Sequence, residues 1–111
     1  DDAEFLRVRI SKMLVSGGHE VIEADNGLSA VNTYKSARPD AVLMDITMPE
    51  MDGLAALKEI RAADPNARVV MLTALGQESV VLEAIKSGAK DFVVKPFEPE
   101  RVLAAITKAL A

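Results

Sequence analysis

The sequence predicts an α/β protein, a parallel sheet with helices on both faces. Three observations carry that prediction. Segments of helical apolar spacing alternate with short apolar runs along all 111 residues, the pattern of helix-covered parallel strands. Two of the runs, Ala41 to Met44 and Val69 to Leu72, are continuously apolar, as expected of strands buried on both faces. Turn-forming clusters stand at the junctions: "GGH" at 17–19, "DNG" at 25–27, "MPEMDG" at 48–53, "SGAK" at 87–90 and "KPFEP" at 95–99.

Each element has its own justification. Residues 3–16 place Phe5, Ile10, Met13 and Leu14 near one helical face, with Arg9 and Lys12 turned elsewhere. Gly17 and Gly18 end that helix, because glycine accepts a left-handed cap. "EVIEA" at 20–24 alternates as a short strand. Asp25-Asn26-Gly27 is a turn that also starts a helix over about 28–36. The 41–44 strand follows, and then a loop at 48–53. Leu54, Leu57 and Ile60 recur at helical spacing through Ala63, and Pro65 stops that helix. A strand at 69–72, a helix at 77–87 and a strand at 91–94 complete the alternation. Pro99 suits the first position of the last helix. Five helices thus alternate with four strands, and a complete unit would begin with a further hydrophobic strand ending at Asp1-Asp2.

The composition narrows the function classes. The length fits one domain, residues 1–111. At 50% hydrophobic residues, the chain should fold. With no cysteine, disulfide scaffolds and cysteine metal sites are excluded. The apolar runs are too short to span a bilayer, and no signal segment opens the sequence. A formal net charge of -4 with 4% aromatics disfavours nucleic acid, both electrostatically and as a stacking platform.

Ligands of such sheets sit at the carboxyl ends of the strands. Asp45 follows the 41–44 strand, Thr73 the 69–72 strand and Lys95 the 91–94 strand. Asp1 and Asp2 stand where a preceding strand would end. Three carboxylates converging there need a cation or must take up protons. Magnesium, a hard ion that favours carboxylates and carbonyls, fits. One carboxylate could attack phosphorus while a lysine and a hydroxyl hold the other oxygens. Blander readings compete. Such an Asp is more often a turn or cap residue, Lys95 a solvated lysine and Thr73 an ordinary strand residue. His19 reads as surface loop, Met48 and Met51 as packing, and Gly53, Gly76 and Gly88 as turn glycines.

The motifs "DDAEFLR" at 1–7, "MDITMPEMDG" at 44–53, "TA" at 73–74 and "GAKDFVVKPF" at 88–97, in that order, resemble the receiver domain of two-component response regulators. The single-domain chemotaxis type is the nearest likeness, and the resemblance spans residues 1–111. It implies a flavodoxin-like, three-layer α/β/α fold with the strand order 2-1-3-4-5 established for flavodoxin and the chemotaxis regulator, here without its first strand. It implies that Asp45 accepts a phosphoryl group from a histidine kinase's phosphohistidine and later loses it to magnesium-assisted water, with no separate turnover substrate. Asp1, Asp2, Asp45 and the carbonyl of Thr47 would hold Mg2+. Thr73 would reorient toward the phosphoryl group and Lys95 would pair with it. Phe92 occupies an aromatic switch position that is often Tyr, so here the switch would rest on ring burial. Lys95-Pro96 resembles the family's cis peptide.

The implied partners are a sensor histidine kinase or phosphotransfer protein and a downstream target or output domain, in the cytoplasm. They would read the 77–111 surface, where Lys86, Lys90 and Arg101 have solvation as their ordinary role. Rival readings are an interaction module with an unused site, a phosphatase or small-ligand binder on the same architecture, and a piece of a larger regulator.

Overall fold

The computed structural model describes residues 2–20, 24, 26–45, 52–74, 78–95 and 97–110, with backbone alone for 2–7, 74 and 99. Eight elements follow in order: α1 (Asp2–Ser16), α2 (Gly27–Ala37), β1 (Val42–Asp45), α3 (Gly53–Ala63), β2 (Val69–Ala74), α4 (Glu78–Lys86), β3 (Asp91–Lys95) and α5 (Pro99–Leu110). The predicted helices all form, and the three later strands form. The strand expected at 20–24 lies largely outside the described residues.

The helix ends follow from local chemistry. Asn26 caps α2 by accepting from the Ser29 amide at 2.7 Å, and Asp52 caps α3 by accepting from Ala55 at 2.9 Å. Each satisfies an amide that the first turn leaves without an intrahelical partner. Gly53 is therefore the first residue of α3, whereas the sequence pattern suggested a turn glycine. At the end of α1, His19 donates to the Leu14 carbonyl and Gly18 to Val15, each at 3.0 Å. Ala89 and Gly88 close α4 the same way, onto Ala84 and Ile85. These paired bonds need a left-handed residue at the turn, and Gly18 and Gly88 supply it at φ +92° and +108°.

The three described strands are parallel in the order β1-β2-β3. Asp45 stands opposite Leu72, Leu72 opposite Val93, and Thr73 opposite Val94. Alternation along each strand sends successive side chains to opposite faces. Met44, Val69 and Met71 join Leu57 and Ile60 of α3 and Ala84 of α4 in one core cluster. Val70, Leu72 and Val93 join Ile10 of α1 and Val102, Ala105, Ile106 and Ala109 of α5 in another. The sheet is thus covered on both faces, as its continuously apolar strands required. Burying each larger aliphatic side chain contributes roughly 1.5–3 kcal/mol. Among the described residues, no helix is long and apolar enough to cross a membrane.

Candidate functional site

The carboxyl ends of β1, β2 and β3 bring three predicted residues to one edge. Asp45 is the last residue of β1 and Lys95 the last of β3. Their strands are separated by β2, yet the Lys95 ammonium donates to Asp45 Oδ2. Neighbouring strands lie about 4.8 Å apart, so the four-carbon lysine stem is what carries the charge across the end of β2. Strand alternation sends Asp45 and Lys95 to the same face, that of Leu43 and Val93. Their side chains are 28% and 30% exposed, which keeps the pair accessible to an incoming reactant. The blander readings of a turn aspartate and a solvated lysine do not survive this contact.

Thr73 lies between them in the sheet, opposite Val94 and one residue beyond Leu72. It is the buried polar side chain among the described residues, at 1% exposure. Its hydroxyl is not left without a partner. A reorientation of Thr73 is therefore an exchange of partners, made where water cannot compensate.

Phe92 is half-buried, and its ring packs on the α3/α4 side of the sheet with Val80 and Val81. Its backbone amide donates to Asp91 Oδ1 at 2.7 Å. Its carbonyl accepts from Arg101 at 3.0 Å. Arg101 is thus not the merely solvated cation that the sequence suggested. No sequence signal marked it, because its partner is a backbone carbonyl.

Of the expected magnesium ligands, Asp45 is described. Asp1 and Thr47 lie outside the described residues, as does Pro96, and Asp2 is described only as the backbone start of α1. The donor chemistry of Asp45 fits a hard divalent cation: a partly exposed carboxylate at the mouth of the sheet.

A parallel sheet covered on both faces, with an aspartate and a lysine paired across its carboxyl edge beside a buried threonine, defines a class of phosphoacceptor signalling domain. The chain belongs to the response regulator receiver domain family, whose model matches residues 1–107. It is 58% identical to the chemotaxis protein CheY of Bacillus subtilis over 111 residues, 99% of this chain and 92% of that protein. It is 53% identical to CheY of Thermotoga maritima, over 97% of this chain and 91% of that one. Among solved structures it resembles the CheX–CheY–BeF3–Mg2+ complex of Borrelia burgdorferi, with TM-score 0.91, 38% identity and coverage of 100% and 85%. The receiver domain of NtrX from Brucella abortus matches with TM-score 0.92, 34% identity and coverage of 99% and 93%.

Proposed function

We propose that residues 1–111 act as one receiver domain in which Asp45 is the phosphoacceptor. The observation that carries this reading is the Asp45–Lys95 contact made over the end of β2. Transfer forms a bond between an Asp45 carboxylate oxygen and phosphorus and breaks the phosphorus–nitrogen bond of a phosphohistidine, whose imidazole leaves. Water later attacks phosphorus, the acyl phosphate bond breaks, and carboxylate and inorganic phosphate are released. Lys95, already against Asp45, offers its ammonium to a phosphoryl oxygen. Thr73 offers its hydroxyl after giving up its present partner.

Asp1, Asp2, Asp45 and the Thr47 carbonyl are the residues proposed to hold Mg2+. When bound, that ion supplies charge neutralisation for the phosphoryl oxygens. The acyl phosphate adds negative charge and acceptor oxygens at the edge of the sheet, and the surface of α4, β3 and α5 shifts between two populations in response, with Phe92 moving inward. The partners proposed are a histidine kinase or phosphotransfer protein and a downstream target, in the cytoplasm. The similarity to a CheY captured in a complex with CheX supports a protein partner.

Intact mass after incubation with magnesium and acetyl phosphate tests the reading. One phosphoryl gain is expected in the parent and none in Asp45→Ala, with circular dichroism showing both folded. A folded parent that gains nothing supports the rival reading of an interaction module with an unused site.

A further inference from the structure

Phe92 has an unusual backbone environment. Among the described residues β3 is an edge strand, and its register with β2 turns alternate residues outward. The outward groups of Phe92 are both taken by one ion pair. The amide donates to Asp91 Oδ1 at 2.7 Å, and the carbonyl accepts from Arg101 Nη2 at 3.0 Å. The same Nη2 lies 3.8 Å from the same Asp91 Oδ1. Arg101 belongs to the first turn of α5, where its own amide donates to the Glu98 carbonyl at 2.9 Å.

This arrangement joins the two helix layers around the edge of the sheet. The Phe92 ring lies in the α3/α4-side cluster, whereas Val93 and Val102 lie in the α1/α5-side cluster. Arg101 comes from the α5 side and passes round the strand edge to reach the peptide of the residue whose ring faces α4. A displacement of that ring that carries into the strand backbone turns the Phe92 peptide. The peptide cannot turn without breaking or dragging the Arg101 bond.

We propose that Arg101, held by Asp91, is a positioning residue that couples the Phe92 switch to helix α5. It transmits phosphorylation at Asp45 to the start of that helix. The proposal rests on the phosphoacceptor reading above. A charged donor on a backbone carbonyl is among the stronger hydrogen bonds, and the guanidinium serves carbonyl and carboxylate at once, which a lysine ammonium does with less geometric definition.

Hydrogen exchange by mass spectrometry tests it, on peptides covering 91–95 and 99–106, with and without beryllofluoride and magnesium. Parent, Arg101→Ala, Arg101→Lys and Asp91→Asn are compared, and phosphoryl uptake by intact mass is recorded for each. In the parent, the mimic is expected to change exchange in both segments. In Arg101→Ala the change at 91–95 persists, while that at 99–106 shrinks by roughly 2- to 30-fold, the range of coupling changes seen for intermediary residues. Arg101→Lys recovers part of it, and Asp91→Asn, which keeps the arginine, loses part. If Arg101→Ala proves unfolded by circular dichroism, the Lys and Asn variants carry the test. An identical response at 99–106 in the parent and the folded variants, all phosphorylated, overturns the coupling. Absence of phosphoryl uptake in the parent removes the phosphoacceptor reading and this inference with it.

Discussion

The guanidinium of Arg61 lies over the bare α-carbon of Gly88, joining the end of α3 to the turn after α4. A β-carbon at Gly88 would come within 2.3 Å of Arg61 Nε. Arg61 is not free to swing away without loss, because its Nη1 donates to the Ala67 carbonyl at 3.1 Å. Gly88 also holds φ +108°, a region that costs other residues about 1–3 kcal/mol. Gly88→Ala is therefore expected to lower unfolding stability in urea by more than this backbone strain alone. In an Arg61→Ala background the same substitution should cost only the strain. Equal costs in both backgrounds would show that the arginine contributes nothing to the requirement for glycine.

Alkaline pH should report on the link between α2 and α3. Tyr34 donates its hydroxyl to Asp64 Oδ2 at 2.7 Å, and Arg38 lies 3.2 Å from the same oxygen. Burial, then the bond to the Asp64 carboxylate, pushes the Tyr34 hydroxyl up from 10.0 to about 12. A raised folded value favours the fold while the group stays protonated. That stability is complete below pH 10.0 and is lost as pH rises toward 12. Asp64 is lowered, first by the Tyr34 bond, so its contribution is present above the ordinary value of 3.8 and is lost as acid protonates it. The chain has one tyrosine and no tryptophan, so absorbance at about 295 nm follows Tyr34 alone. Asp64→Asn should move its midpoint down toward 10.0.

Lys95→Ala should hardly change stability, because a partly exposed ion pair contributes about 1 kcal/mol or less. Its larger effect is on the cation. The ammonium occupies a carboxylate oxygen of Asp45, so its removal is expected to tighten Mg2+ binding by roughly 2- to 5-fold at low salt. A magnesium titration followed by NMR shifts of the Asp45 region checks this. Weaker binding in the variant would show that the lysine does not compete with the ion.

Thr73→Val should destabilise the protein by about 1–3 kcal/mol, because the hydroxyl is buried and its partner would be left unsatisfied. Phosphoryl uptake at Asp45 should persist, while the response of the α5 surface is reduced. Thr73→Ser keeps the hydroxyl and should restore the response. Thermal unfolding and the exchange experiment on the same samples separate the two effects.

The fold was legible because its signals are local. Continuous apolar runs at 41–44 and 69–72 announced covered strands, and the structure puts a core cluster on each face of them. The Asp25-Asn26-Gly27 turn announced the start of α2, where the structure makes Asn26 the cap, and Gly18 and Gly88 announced their turns. Gly53 misled, because a glycine following a capping aspartate looks the same whether it closes a turn or opens a helix. Asp45, Thr73 and Lys95 were legible as strand-end residues, since a parallel sheet gathers such positions at one edge.

By itself the sequence determined the order of helices and strands, the covered character of the sheet and the family to which the chain belongs. These follow from apolar periodicity, turn chemistry and side-chain types, which act over a few residues. Tertiary structure alone decided that Lys95 reaches Asp45 across β2, that Thr73 is buried rather than edge-exposed, that Arg61 requires Gly88, and that Arg101 grips the Phe92 peptide. Each of these joins residues far apart along the chain or uses a backbone group. A backbone carbonyl is chemically the same at every position, so only the packing of α5 against β3 could select which one receives the arginine.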